Sequence, residues 1–337
     1  MSGLLKVSGL IDLAQFWPDG ESDADTTKIK LKVGPNAFKF AADGETFKTT
    51  RVFEGAKSTG QGRKPLIDAK GRITVRLQGI DAPELHYRAS ALPGDRADVT
   101  DAKREAFNAA NRAEKRQYWA ETATVALCEK LSNFAKGGVV KCEFWSHVDY
   151  PHEIADVYGR FVGNIGVGAG FDLDINTWLA EEGWVYPAFY SSMSNDEIEA
   201  LCEAAERGRK KKRLWAHLQS KVNKFDARLV YRPHGEVDAD ADVGPVLFPK
   251  LFRRQVAHAM EKKAGLKPGT FKAYLKKKLD ECFETDDFME NGVHSAVTMA
   301  LHDFITGQDF AAAPDEVVFK EKPASVVDAN NKRIEKF

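Results

Sequence analysis

An α+β fold, built on a small five-stranded β-barrel with three packed helices and followed by a mostly helical C-terminal region, is the class this sequence predicts. Three observations carry the prediction. Short segments of alternating apolar and polar residues dominate the first half. The elements there run β-β-β-α-β-β-α-α, and from about residue 249 the apolar residues recur at helical spacing instead. With 337 residues and 43% apolar composition the chain can fill a core or two.

Residues 4–16 read as a first strand, and the cluster Pro18-Asp19-Gly20-Glu21-Ser22-Asp23 is turn chemistry. Thr26 to Val33 is a cleaner strand, with Ile29, Leu31 and Val33 on one face and lysines on the other. Residues 34–70 read as an insertion, holding a second hairpin from Ala37 to Phe53 that turns near Asp43-Gly44, then a loop rich in Gly, Ser and Lys. Ile73, Val75 and Leu77 alternate with Thr74, Arg76 and Gln78, so Arg76 leaves its strand on the polar face, and Pro83 ends the ladder because it has no N–H. Residues 88–112 are polar and give no clear element. Trp119, Ala123, Ala126, Leu127, Leu131 and Phe134 then predict a helix ending at Gly137-Gly138. Val139–Val148 and Tyr158–Val167 read as strands, and Asp174–Glu182 as a short helix closed by Gly183. Asn195 is the expected N-cap of a helix running to about Trp215, with Glu197 and Glu199 in its first turn. Beyond it the expected division is a domain over 1–220, an acidic linker over 221–245 and a helical region over 246–337, with helices near 249–264, 270–283 and 286–306.

No apolar run approaches the length of about 18 residues that spans a bilayer, and the first residues lack a signal-peptide layout, so a cytoplasmic protein is expected. Cys128, Cys142, Cys202 and Cys282 lie far apart without a C-x-x-C pair, which suggests buried or free thiols and no zinc knuckle. The net charge of −1 hides local asymmetry: Arg207 to Arg213 is nearly all positive, while Glu236 to Asp242 carries four carboxylates. A neutral total therefore does not exclude a polyanionic substrate.

The most informative segment is Arg76-Leu77-Gln78-Gly79-Ile80-Asp81-Ala82-Pro83-Glu84, joined downstream by Asp156-Val157-Tyr158-Gly159-Arg160. Together they set two arginines and, in Asp81 and Glu84, two carboxylates where a strand ends and a turn begins, a combination suited to attack on a phosphodiester. Asp81 offers a carboxylate to a hard cation, and Ala82, held extended by the following proline, can offer its carbonyl. Glu84 lies three residues further on, where its carboxylate can serve a water as base or orienter. Arg76 and Arg160 supply fixed charge to phosphate oxygens, and lysine would substitute poorly for their planar forks.

With Asn176 to Trp184 and Arg207 to Trp215, these segments give the chain a resemblance to the staphylococcal nuclease-like family over roughly residues 4–218. The resemblance implies a five-stranded OB-fold barrel with three helices and calcium-dependent endonuclease hydrolysis of DNA and RNA, leaving 3′-phosphate ends. It also implies a further acidic ligand from the turn between the first two strands. Asp25, directly before Thr26, is the choice, so that Asp25, Asp81 and the Ala82 carbonyl would hold Ca2+. The rival, Glu45 in Asp43-Gly44-Glu45-Thr46, fits the family's short pattern more tightly but would leave residues 4–33 without a place. Arg76, Glu84 and Arg160 are then the catalytic residues. Tyr158, Tyr186 and Tyr190 are candidates to stack on bases, which favours single strands. The sequence departs from the family at Val157, where a lysine often stands, and in the insertion ahead of Arg76, so substrate preference stays open.

Blander readings apply elsewhere. The basic run 207–213 is more simply the solvated end of a helix, His86 a rim histidine, and Trp178, Trp184 and Trp215 core anchors. His147 and His152 flank a loop without a third ligand at useful spacing. In the C-terminal region Leu251, Val256 and Met260, then Phe271, Tyr274, Leu275 and Leu279, argue only for helix packing, against the protein itself, a second copy or another protein. The alternative to an enzyme is a non-catalytic barrel that binds nucleic acid or protein within a larger assembly.

Overall fold

The computed structural model describes residues 3–32, 38–60, 64–93, 96–224, 226–230, 242–322 and 324–337. Val33, the adjoining 34–37 and 61–63 of the insertion, and the acidic stretch 231–241 lie outside the described residues. Contacts divide the chain into two compact units. The first comprises Met1–Ile80, Thr124–Leu179 and Glu321–Phe337, and the second Asp81–Ala123 and Ala180–Lys320.

The first unit is the barrel. Its strands are β1 (Leu4–Asp12), β2 (Thr26–Leu31), β3 (Arg72–Leu77), β4 (Val139–His147) and β5 (Phe161–Val167). β1 pairs with β2 at Gly9 and Leu31, β2 with β3 at Thr26 and Arg76, and β3 runs parallel to β5, with Arg76 opposite Val162. β5 pairs with β4, and β4 returns to β1 along its whole length, from Leu4 opposite His147 to Asp12 opposite Val139. The circuit closes, which removes the exposed edges an open sheet would present. The alternation legible in the sequence is the barrel's inside and outside: Leu5, Val7, Ile11, Ile29, Ile73, Val75, Phe144, Phe161 and Ile165 are all at most 1% exposed. Burial of each such side chain contributes about 1.5–3 kcal/mol. β1 stops at Asp12 and not at residue 16, because the Asp12 carboxylate accepts from the Ala14 N–H (3.0 Å) and caps a short 3-10 turn, Leu13–Gln15.

The insertion forms the expected hairpin, Lys39–Ala41 against Lys48–Thr49. Its Phe38 and Phe53 pack on Phe161, with ring centroids 5.5 and 5.4 Å apart, so it extends the barrel's apolar core. Lys57–Ser58 then pairs with Val326–Val327, which brings the C-terminal residues into this unit. Residues 88–112, where no element was legible, hold helix α1 (Asp101–Ala110), whose N-cap Thr100 accepts from Lys103 N. α2 (Ala120–Ser132) turns Leu127 and Leu131 toward Ile11, Leu77, Ile165 and Ile175. α3 (Ile175–Glu181) carries Asn176, 1% exposed, whose amide donates to the carbonyls of Gln78 (2.9 Å) and Gly163 (3.2 Å) and ties the end of β3 to β5.

The second unit has a core of its own, in which Phe107, Trp119, Tyr186 and Leu214 join Phe248, Leu251, Phe252, Val256, Phe271 and Phe319. α4 (Asn195–Lys210) is capped by Ser194, not by the expected Asn195: Ser194 Oγ and Glu197 form a capping box that satisfies donors at both positions. The helix ends five residues before Trp215, and Leu214–His217 continues as a 3-10 turn. Gly208 lies so close to the Ala180 carbonyl and to Gly183 that a Cβ there would collide with backbone. α5 (Pro249–Lys263), α6 (Phe271–Lys278) and α7 (Thr285–Ser295) are the three expected helices, the last two shorter than their apolar spacing suggested. α6 stops because Leu279 takes a left-handed conformation (φ 49°), which leaves Leu279 66% exposed while Phe271, Tyr274 and Leu275 are buried. A four-stranded sheet accompanies them, ordered Phe189–Tyr190, Val317–Phe319, Glu281–Glu284, Met299–Ala300. This grouping differs from a division at residues 220 and 245. The apolar stripes of α5 and α6 are buried against residues from 89–119 and 186–214, and so draw those segments into one core. Among the described residues no helix is long and apolar enough to cross a membrane. All four cysteines are free, with Cys142 and Cys282 buried.

Candidate functional site

Each unit assembles part of the expected site. In the barrel, register sets Arg76 on β3 directly beside Thr26 on β2 and Val162 on β5. The Arg76 guanidinium forms an ion pair with Asp25 and donates from Nη2 to the Ile80 carbonyl at 3.2 Å. Asp25 is held by its surroundings: its N–H and that of Thr26 donate to the Asp23 carboxylate (3.2 and 2.8 Å), its carbonyl accepts from Leu77 N, and the Thr26 hydroxyl donates to Asp25 Oδ1 at 2.9 Å. The side chains of Arg76 and Asp25 are only 15% and 6% exposed, so this is a largely desolvated charge pair.

Arg160 reaches the same dipeptide from the other motif. Asp156 Oδ1 accepts from the N–H groups of Tyr158 and Arg160 (2.9 Å each), and Asp156 Oδ2 accepts from Arg160 Nε at 2.7 Å. Gly159 closes that loop at φ 80°, a conformation favouring glycine. The turn thereby aims Arg160 Nη1 at Thr26 Oγ1, 3.3 Å away. Arg76 and Arg160 thus converge on Asp25-Thr26. The Tyr158 ring, 49% exposed, lies 5.3 Å from the Arg160 guanidinium. Glu45, the rival to Asp25, sits on an exposed turn whose N–H groups at Glu45 and Thr46 donate to Asp43. Those bonds, the Thr46 backbone donor first, lower the Asp43 carboxyl to about 2.

The second unit holds Asp81, Ala82 and Glu84. Asp81 and Ala82 are buried (2% and 3% exposed). Gln117, itself fully buried, fixes the Glu84 backbone from both sides: its Oε1 accepts from Glu84 N (3.1 Å) and its N–H donates to the Glu84 carbonyl (2.8 Å). Its Nε2 reaches on to the Leu247 carbonyl at 2.7 Å, just ahead of α5. From α5 comes a residue absent from the expected site. Arg253 donates from Nη2 to Asp81 Oδ2 (2.9 Å) and from Nη1 to Asp81 Oδ1 (3.3 Å), and makes an ion pair with Glu84. Burial works against the Arg253 charge, but Asp81 and Glu84 outweigh it and hold the guanidinium well above the usual arginine range. Along the same helix, burial pushes Lys250 down to about 8 against the pull of Asp280.

The tyrosines divide. Tyr158 is exposed, whereas Tyr186 is fully buried and donates its hydroxyl to the Leu214 carbonyl at 3.1 Å. Tyr186 therefore packs the core and cannot stack on a base, a correction to its expected role. Tyr190 is half-buried, its ring 6.0 Å from Phe319. The insertion meets the Arg160 turn: a Cβ at Gly60 would collide with the Val157 carbonyl, and Ser58 Cβ lies 3.3 Å from where a Cβ of Gly159 would stand. Most of the basic run pairs inside the second unit. Arg207 bonds Glu181 at 3.0 Å, Lys211 and Arg213 bond Glu182 at 3.1 and 2.7 Å, and Arg209 pairs with Asp315. His86 lies 3.0 Å from Glu114, as a rim histidine would.

A resident calcium would need open carboxylate oxygens at Asp25 and Asp81. Both oxygens of Asp81 are engaged by Arg253, Asp25 is paired with Arg76, and among the described residues no group of three or more His, Cys, Asp or Glu is placed to hold a metal ion. In the second unit the Asp81 carboxylate, with both oxygens on Arg253, does not fit a hard divalent cation as it stands.

A closed five-stranded barrel with helices, carrying paired arginines at the strand ends, defines a nuclease-like or nucleic-acid-binding module of OB-fold type. The family model described as staphylococcal nuclease homologue matches residues 74–217. The match begins within β3, and β1, β2 and Asp25 join it through the closure of the barrel. No curated protein matches the chain.

Proposed function

We propose that this protein is an endonuclease of the staphylococcal nuclease type, cutting phosphodiester bonds in DNA and RNA with a preference for single strands. One observation carries the reading: Arg76 and Arg160, 84 residues apart in the chain, converge on Asp25-Thr26 in the barrel. Two fixed guanidinium groups suit the charge that grows on phosphate oxygens as phosphorus becomes five-coordinate. Glu84 is the acid that would orient the attacking water or take its proton, once its carboxylate is released from Arg253. Tyr158, exposed beside Arg160, would stack on a base next to the cut, and the 3′-phosphate outcome is part of the same reading. The family favours calcium as cofactor, with Asp25, Asp81 and the Ala82 carbonyl as its ligands, but the arginine pairing of both acids gives it no step here.

That same pairing supports a second reading, a non-catalytic module in which the acids serve only to hold arginines. Plasmid and single-stranded substrates, incubated with calcium or with chelator, decide between them. Cutting that falls sharply in Arg160→Ala and Glu84→Ala supports the enzyme. Binding without cutting under every condition supports the module, and undiminished cutting by both variants refutes the residue assignment.

A further inference from the structure

Arg253 is held in place by more than its ion pairs. The Tyr87 hydroxyl donates to its carbonyl at 3.1 Å, and its neighbours Leu251, Phe252 and Val256 are at most 1% exposed in the core. The Asp81 side chain is 2% exposed, that of Glu84 18% and that of Arg253 25%, so all three charges sit largely out of water. A planar guanidinium with parallel donors matches a carboxylate in two bonds at once, and here one fork spans two carboxylates. Both Asp81 oxygens and Glu84 Oε1, which a hard cation would coordinate, are oxygens this fork occupies.

We propose that Arg253 is the resident cation of the Asp81–Glu84 turn, excluding a divalent ion from those carboxylates unless its own side chain is displaced. The proposal rests on Asp81 and Glu84 being the acids of the proposed site, and it makes α5 the element that sets how the turn responds to metal. Two cations cannot share the same lone pairs, and +1 beside +2 at that distance is repulsive. Calcium binding is therefore weakened by the fraction of molecules in which the Arg253 fork has swung away: if that fraction is about 1%, the apparent affinity falls about 100-fold. Lys250 and Arg254 lie on the same helix and engage Asp280, at 3.7 Å and through two donors respectively, so the side of α5 that meets carboxylates is already basic.

Calorimetric titration of calcium into the full chain tests this without reference to cleavage. The wild type is expected to bind weakly, Arg253→Met at least about tenfold more tightly, and Arg253→Lys in between, because lysine keeps a charge but loses the fork. Calcium should also raise the melting temperature of Arg253→Met more than that of the wild type. If Arg253→Met does not fold, Arg253→Lys carries the comparison. Equal affinity in the wild type and in every folded variant overturns the proposal. A gain in affinity without any cutting leaves the proposal standing and removes the nuclease reading; calcium-dependent cutting with affinities indifferent to residue 253 does the reverse.

Discussion

The two units solve one electrostatic problem with partners drawn from different distances. In the barrel, buried Asp25 is neutralised by Arg76, which register sets on the neighbouring strand beside Thr26. In the second unit, buried Asp81 and its neighbour Glu84 are neutralised by Arg253, 172 and 169 residues away in the chain. The first pair lies at the adjoining ends of two paired strands, so acid and arginine come together wherever the barrel forms. The second depends on a helix recruited by its own apolar stripe. A motif can thus be intact in sequence while its charges answer to a segment the motif does not mention.

The largest expected effect separates the two barrel arginines. Arg76→Ala and Arg160→Ala should each lower the cleavage rate roughly 100- to 1000-fold in single-turnover assays. Only Arg76→Ala should also lower stability, by about 3 kcal/mol in denaturant titration, since it leaves Asp25 buried and unneutralised by its partner. Arg160 is 29% exposed, and its loss should cost under about 1 kcal/mol. Equal destabilisation by both would break the contrast between a buried and a rim arginine.

Next in size is the counterpart in the second unit. Arg253→Met should cost about 3 kcal/mol at pH 7 in calcium-free buffer, because buried Asp81 and partly buried Glu84 lose their guanidinium. An unchanged midpoint would mean that α5 is held by its apolar stripe alone.

A smaller effect is expected from pH. Burial raises the Asp242 carboxyl to about 6, against the pull of the Thr122 N–H and hydroxyl, both 2.8 Å from Oδ2. A folded-state value above the unfolded one means stability that is present below about pH 4 and is lost as pH rises through 6. Relative to Asp242→Asn, the wild type should lose on the order of 1–2 kcal/mol between pH 4 and 7, read from paired thermal melts. A constant difference across that range would contradict the burial of this carboxyl.

The smallest effects compare two tyrosines. Tyr158→Ala should weaken single-strand binding by on the order of 1 kcal/mol, measured by fluorescence anisotropy, with the melting temperature unmoved. Tyr186→Phe should do the opposite, costing about 1 kcal/mol of stability through the lost bond to Leu214 while leaving binding alone.

The barrel was legible because its strands are short, regular and half-buried. Ile73, Val75 and Leu77 announce their inward face by period alone, and the ends of β3 and β5 announce Arg76 and Arg160 by the turns beside them. Helix α1 was not legible, since only Phe107 of its ten residues is buried and its remaining pattern is that of a polar loop. Nothing in the spacing of Tyr158 and Tyr186 distinguishes an exposed ring from a core one. A signal for Arg253 did exist, as a basic residue within the stripe Leu251, Val256 and Met260, but a stripe tells which face is buried and not against what.

By itself, then, the sequence determined the closed barrel, the acids and arginines of its motifs, and the helical character of the C-terminal stripes, because each depends on contacts within a turn or between neighbouring strands. Only the tertiary structure decided that the insertion abuts the Arg160 turn, that Tyr186 is core, and that Arg253 sits on Asp81 and Glu84. Local periodicity is a property of one segment. The choice of partner for a buried charge is a property of how distant segments pack, and no stretch of sequence short enough to read as a motif contains it.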